Sequence, residues 1–395
     1  MIEKNKLPCN YVIIGAGPVG LFLALRLLEQ GKDYENVVLI DSRPDMFARS
    51  QVLRIPPSIV SALPACIFER LWPDVDVQKR VTAVGLEKID YDHLPFISIS
   101  NFQQVIYEHM KETYPTRLID FPMTPSPNIC GREDLSVFLR SWPGKVEAVF
   151  CTCGHKGSML RDDKENRWYS PKGNGVYLLY ENSKKEDYIR NESKIDMASL
   201  RSAGMTYAVS NNAQKHTQIY TYEEGFDMLK SIPSDILNLL TSKEALFKTS
   251  QESLVDSIDQ AWWGSYYDTL KKRLDEFLIE IPDTTSVHYA ERAEYFYECI
   301  SSQVPVWEGE SCAIVYVGDS AGGTDYRLGM SLGRGLLSVE EIAKYTRCGV
   351  ERMIAEYQKY WTKMIETEFR KDNPLTDASV MQKYIEEGRL KQRGS

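Results

Sequence analysis

Gly15, Gly17 and Gly20 stand in G-x-G-x-x-G spacing within "YVIIGAGPVGLFLALRLLEQG", and Asp41 follows at the end of "NVVLID". The pattern binds phosphate without a charged side chain. The first glycine permits a tight turn, the second lets the backbone approach a pyrophosphate, and the third lets helix and strand pack closely. A helix opening at Pro18 and Val19 adds free N–H groups and the positive end of its dipole. An acid roughly 20 residues further on accepts ribose hydroxyls, which is the place of Asp41. These residues bind a dinucleotide; alone they leave NAD, NADP and FAD open.

The choice among the three is carried by "CAIVYVGDSAGGTDYRLGMSLGRGLL" near the other end of the chain. An apolar strand ends at Gly318-Asp319, and a glycine-rich turn leads through Gly329 into a helix at Met330 and Ser331. An acid at the carboxyl end of a strand accepts hydrogen bonds from a polyol chain. The helix start offers N–H groups and positive dipole to an anionic ring. NAD has neither a polyol nor a ring that becomes anionic on reduction; FAD has both. The expected cofactor is FAD.

These residues need elements to hold them. "YVII" and "NVVLI" are short continuous apolar runs, as expected of strands buried on both faces, with an apolar helical pattern between them closed by Gly31. That is a βαβ unit with a parallel sheet. "ISISNFQQVIYEHMKET" reads as a strand end, a Ser cap and an amphipathic helix, and "KVEAVFCTCG" as another strand. From Trp168 to Val287 the pattern changes to alternating, Tyr-rich segments ("VYLLY", "MTYAVS", "TQIYTY") typical of half-buried antiparallel strands. Helical patterns follow in "SDILNLLTSKEALF" and "SYYDTLKKRLDEFLIEI". The charged "NSKKEDYIRNESK" reads as an exposed loop. "VEEIAKYTRCGVERMIAEYQKYWTKMIETEFR" reads as one long charged helix clasping the nucleotide-binding part.

The chain has 395 residues, 43% hydrophobic and 26% charged, with a formal charge of -9. These are globular values, and the acidic balance argues against a nucleic-acid partner, which needs a basic face. "MIEKNKLPCN" lacks the apolar core of a signal peptide. No apolar run approaches the roughly 20 residues of a membrane span. Eight scattered cysteines read as free thiols of a reducing, cytoplasmic compartment. Cys151 and Cys153 form a C-x-C without the second pair that a zinc site needs, and the five histidines lack ligand spacing, so no metal is expected.

In motif order the chain resembles the p-hydroxybenzoate-hydroxylase-type (class A) FAD-dependent monooxygenases, and is most similar to the flavin monooxygenase domain of the MICAL proteins. The likeness rests on the N-terminal glycine motif, "RSQVLRIPPSIVSAL", "ISISNFQQVI" and "GDSAGGTDYRLGMSLGRGLL", and spans roughly residues 10–165 and 310–345. It implies an α/β fold: a Rossmann-like FAD-binding domain of GR2 type with an inserted, mostly antiparallel substrate sheet and C-terminal helices. The implied division gives the FAD domain residues 1–75, 96–167 and 296–345, with 76–95 either a connection or part of the substrate domain. The substrate domain takes 168–295, and 346–395 form a helical tail.

By the same resemblance Gly15, Gly17, Pro18, Val19 and Gly20 hold the pyrophosphate, and Asp41, Ser42 and Arg43 lie at the adenosine half. Arg49, Ser50, Gln51 and Val52 run along the flavin side, and Gln103 matches a glutamine of the family's helix. Gly318 and Asp319 meet the ribityl chain, and Gly329, Met330 and Ser331 the pyrimidine edge. The family's middle Asp-Gly is Cys153-Gly154 here, a family Arg is Ser100, and Arg327 stands where a proline is usual. The implied reaction takes NADPH or NADH and O₂, forms a flavin hydroperoxide and oxygenates a nucleophile, a small aromatic or a protein side chain. No side chain is assigned as catalytic. Two alternatives stay open: an FAD oxidoreductase without oxygen transfer, and an FAD-fold binding module without turnover. The W-x-W-x-I-P signature of flavin halogenases is missing from all seven Trp contexts.

Overall fold

Strands and helices follow the apolar patterning closely along most of the chain. The computed structural model describes residues 9–31, 36–43, 47, 52–53, 55, 57–73, 97–120, 129–142, 144–154, 160–161, 167–181, 197–209, 216–222, 226–234, 236, 260–277, 279, 286–323 and 330–369. Arg49, Ser50, Gln51, Tyr326, Arg327, Gly329, the charged stretch 182–194 and most of 234–247 lie outside these residues.

From the N-terminus come β1 (Cys9–Ile14), α1 (Pro18–Gln30), β2 (Asn36–Ile40), β3 (Val52–Leu53), α2 (Pro57–Ala62) and α3 (Ala65–Leu71). Then follow β4 (Ile97–Ser98), α4 (Ile99–Thr113), β5 (Leu118–Asp120), α5 (Arg132–Ser141) and β6 (Ala148–Cys151). The Tyr-rich part supplies β7 (Arg167–Glu181), α6 (Met197–Ser202), β8 (Met205–Val209), β9 (His216–Tyr222), α7 (Gln260–Glu276) and β10 (Ser286–Tyr297). The last stretch holds β11 (Ser301–Trp307), β12 (Glu310–Tyr316), β13 (Gly322–Gly323), α8 (Met330–Tyr345) and α9 (Val350–Met364).

A six-stranded sheet runs β11-β12-β6-β1-β2-β5. Every pairing from β12 to β5 is parallel. Its apolar runs are buried throughout β2 and β6, as a parallel sheet covered on both faces requires. The edge hairpin β11–β12 is antiparallel and was not expected from the sequence. Pro305 and the polar "SSQ" mask β11, and a proline is tolerated there because the strand lies on an edge. The second sheet, β13-β10-β7-β9-β8, is antiparallel throughout. Its edge strand β13 follows β12 directly in the chain, so the segment after Asp319 ties the second sheet to the first.

Ser98 caps α4 as expected: its hydroxyl accepts from the Asn101 N–H at 3.1 Å, a contact worth about 1 kcal/mol. Gly31 closes α1 with its N–H on Leu27 O at 2.8 Å. The single long C-terminal helix is corrected to two. Tyr345 ends α8, a short turn occupies Thr346–Cys348, and Gly349 has φ +88° before α9 begins. That backbone angle suits glycine and breaks the helix; the unbroken charge pattern concealed it. α9 buries Met353, Tyr357, Trp361 and Met364 along one face. Trp361 Nε1 donates to Tyr297 O at 2.7 Å and the Tyr357 hydroxyl to Tyr316 O at 3.2 Å. Gln358 binds Ile300 N and Glu298 O. The clasp is therefore made to the ends of β10 and β12. Among the described residues no helix is long and apolar enough to cross a membrane.

Candidate functional site: a dinucleotide cradle built on main-chain contacts

The glycine turn sits between β1 and α1 and is held from four directions. Gly15 N–H bonds Ile40 O at 2.7 Å. Gly15 has φ +108°, and a side chain there would meet the backbone of Thr152 and Cys153 at 2.8–2.9 Å. Thr152 donates its hydroxyl to Gly15 O at 2.7 Å. A methyl on Gly20 would overlap Gly15 O and press on Thr152 Oγ1. The first and third glycines are thus fixed by close backbone approach, as their spacing predicts.

Gly17 differs. Nothing lies within 4 Å of where its side chain would project, so this face of the loop is open space beside the helix start. Gly17 is the N-cap of α1, Pro18 fills the first position where no donor is needed, and no acid occupies the first turn. On the same loop the Ala16 N–H is already taken by the Asp41 carboxylate, so the open face is that of Gly17 and the start of α1. This opening fits a pyrophosphate.

Two predicted residues converge on the Ala16 peptide. Its N–H donates to Asp41 Oδ2 at 2.6 Å and its carbonyl accepts from Gln103 Nε2 at 2.7 Å. Asp41 is 8% exposed and also takes Arg43 N, Nε and Nη2 at 2.8, 2.9 and 2.7 Å. Burial pushes the Asp41 carboxyl upward, but the Arg43 guanidinium and the Arg43 and Ala16 amides outweigh it and leave it below the usual range. Asp41 therefore stays ionised as an acceptor while it orders the loop. Ser42 is exposed beside it.

The second motif meets the first through Val19. Its methyl groups lie 3.3 Å from where a side chain on Gly318 would start, and at 2.6 Å from the same point on Gly335 of α8. Val19 thus joins the halves by packing. α1 and α8 are also tied by Arg26 Nε to Glu340 Oε1 at 2.8 Å. Asp319 stands in a tight turn after β12; its carboxylate accepts from the Ser331 hydroxyl and its carbonyl from the Tyr295 hydroxyl at 2.9 Å. α8 opens at Met330 with no acid in its first turn, which leaves its positive end available to an anion. Val52 begins β3 and pairs with Ser98, placing this strand beside the start of the Gln103 helix.

Cys153-Gly154 closes the cradle from below. Cys153 Sγ lies 3.3 Å from Ile14 O and 3.4 Å from Cys151 Sγ, and Ser320 Oγ donates to Gly154 O at 3.0 Å. The bond between the sulfurs makes Cys151 the readier to ionise and holds the proton on Cys153. Arg161 is a residue that sequence reading passed over. It is 7% exposed, lies between the Tyr297 and Tyr316 rings at 3.8 and 3.7 Å, and donates to Cys299 O and Ser320 O at 2.8 and 3.1 Å. Burial lowers its pKa, while the ring faces and carbonyls offset the loss of water. It pins the Asp319 turn to the rest of the sheet. No local signal announces such a residue, because its partners lie more than a hundred positions away.

Trp262 stacks on Tyr266 at 5.5 Å with rings 8° from parallel, and the Tyr266 hydroxyl bonds Thr221 Oγ1 at 2.8 Å. Trp262 is thereby part of the packing between α7 and β9.

A parallel sheet with a glycine cradle at its first turn, an acid at a late strand end and a second antiparallel sheet between them define the FAD-binding fold of p-hydroxybenzoate hydroxylase type. Among solved structures, that fold is shared with "CtdE in complex with FAD and substrate 4", with TM-score 0.52 and 12% identity over 90% of this chain and 85% of that one. "CmlS, a flavin-dependent halogenase" gives 0.51 and 13% over 90% and 62%. The tetrameric form of 2-methyl-3-hydroxypyridine-5-carboxylic acid oxygenase gives 0.50 and 12% over 98% and 93%. No family model matches the chain, and no curated protein matches it in sequence.

Proposed function

We propose that the protein is an FAD-dependent monooxygenase that consumes NAD(P)H and O₂. One observation carries the reading. The glycine loop and the Asp319 turn, some 300 residues apart, are packed together across Val19, which would set the pyrophosphate and ribityl portions of FAD side by side. When bound, the flavin would accept a hydride from NAD(P)H and activate O₂ for transfer to a nucleophilic substrate.

The chain's own part is binding and orientation. The Gly15–Gly20 turn and the start of α1 hold the pyrophosphate charge, with Arg49, Ser50 and Gln51 alongside in the family pattern. Asp41 would accept the ribose hydroxyls by giving up Arg43 side-chain contacts for them, and Asp319 the ribityl hydroxyls, with Ser331 orienting the latter carboxylate. The start of α8 at Met330, with Gly329 before it in the sequence, would stabilise negative charge on the reduced ring. The five-stranded sheet carries substrate specificity, and we place the 168–295 segment in that role. The substrate is a small aromatic or, following the MICAL-like motif order, a protein side chain. Seven described cysteines are free thiols, which suits a reducing cytoplasmic setting.

The test is anaerobic. Purified protein is mixed with NADPH, then separately with NADH, and flavin absorbance near ~450 nm is followed, the band of the cofactor itself. Bleaching is the expected result; a protein that takes up no FAD sinks the reading. A product gaining one oxygen atom separates a monooxygenase from a reductase or oxidase of the same fold.

A further inference from the structure

The C-x-C segment is not absorbed by the proposed reaction, yet it forms the floor of the cradle. Cys151 and Cys153 bring their sulfurs to 3.4 Å, and closing to the roughly 2.05 Å of a disulfide needs a movement of about 1.4 Å. The movement would fall where the strand ends. β6 ends at Cys151, Cys153 lies in a bend, and Gly154 follows with φ +67°. Cys153 is partly exposed, so a small oxidant reaches the pair. Among the described residues no group of three His, Cys, Asp or Glu gathers to hold a metal.

We propose that Cys151 and Cys153 form a reversible disulfide, closed by peroxide and reopened by thiols, whose closure distorts the dinucleotide loop. The chemistry balances as two thiols and one peroxide giving one disulfide and two waters. Two S–H bonds and the O–O bond break, the S–S bond forms, and two electrons pass from sulfur to oxygen. The consequence follows from what lies between the sulfurs. Thr152 N–H holds Ile14 O at 2.9 Å and its hydroxyl holds Gly15 O at 2.7 Å. Its carbonyl and the Cys153 amide are the atoms packed against Gly15. Drawing Cys153 toward Cys151 takes its sulfur off Ile14 O and tilts those two peptide planes. Cys151 at the same time leaves Ser320 Oγ, 3.6 Å away, beside the Asp319 turn. Both halves of the cradle are disturbed by one bond, whichever dinucleotide the cradle holds.

The experiment uses the full chain, treated with hydrogen peroxide and then with dithiothreitol. Alkylation and mass analysis of the tryptic peptide 146–156, which contains no other cysteine, should show the loss of two hydrogens after peroxide and their return after thiol. Amide exchange in residues 14–21 should quicken in the oxidised form and recover on reduction. Cys151→Ser and Cys153→Ser should each lose that response relative to their own untreated baseline. FAD, added to both forms, should bind at least tenfold more weakly to the oxidised one. Two free thiols after peroxide, sulfinic acid in place of the disulfide, or a disulfide that leaves exchange at 14–21 unchanged would each overturn the inference. An untreated protein that binds no FAD defeats the monooxygenase reading instead, and the exchange data still decide this one.

Discussion

Around Gly15, side chains from distant segments bind main chain: Asp41 and Gln103 take the two ends of the Ala16 peptide, and Thr152 takes the Gly15 carbonyl. Beside the five-stranded sheet, rings pack against rings: on α7 Trp262 lies on Tyr266, and Tyr266 on Phe226 at 5.4 Å. The first region ties backbone atoms through hydrogen bonds, whereas the second fills volume. A phosphate is recognised by where N–H groups point, so its site tolerates no slack. A cluster packed from side chains can change composition and keep its shape. Main-chain recognition gives a short, readable signature, and side-chain packing does not.

Substitutions can break this contrast, the most damaging first. Gly20→Ala places a methyl on Gly15 O; we expect a loss of stability on the order of 4 kcal/mol, and no retained flavin, read by thermal melting and flavin fluorescence. Asp319→Ala should cut FAD affinity by about 10- to 100-fold, the worth of one charge-assisted acceptor; full flavin occupancy in this variant would refute its assignment. Gly17→Ala sharpens the comparison, because its methyl enters open space. The melting temperature should stay within about 2 °C of the parent while FAD binding falls, and unimpaired binding would remove the pyrophosphate from that opening.

Two smaller effects complete the set. The Asp41 carboxyl lies below its ordinary 3.8 in the folded chain. Its contribution is therefore fully present above pH 3.8 and disappears as pH falls through the folded value. Melting curves of the parent and Asp41→Asn should draw closer together below pH 3.8, and a constant gap would show that the carboxylate charge is not what holds Ala16. Between α7 and the second sheet, Tyr266→Phe removes one hydroxyl contact with Thr221; a stability loss of roughly 1 kcal/mol with unchanged FAD affinity is expected by denaturant titration and fluorescence.

Where a residue's role is set by its near neighbours, the sequence was readable. Gly15 and Gly20, the Ser98 cap, the buried runs of β1, β2 and β12 and the alternation of β8 and β9 all have local signatures. The convergence of Gln103 and Asp41 on one peptide was only half visible, since the family pattern named both residues without saying that they share Ala16. The packing of Val19 on Gly318 and Gly335, Arg161 and the Cys151–Cys153 contact were not legible, because each is defined by segments brought together only in the folded chain. The break at Gly349 carried a local cue, but the charge periodicity on both sides overrode it.

The strand order of the six-stranded sheet has a consequence for how the chain acquires its shape. β1 is made first, yet its neighbour β6 arrives more than a hundred residues later, and β12, which completes the parallel ladder, later still. Four strands of the second sheet, β7 to β10, are synthesised in between, before β13 completes it. Contacts of such long sequence separation slow folding, and an unfinished sheet presents open strand edges to other chains. A nascent chain stopped before Glu310 would expose the free edge of β6, so the last quarter of this protein acts as the seal that ends its vulnerability to aggregation.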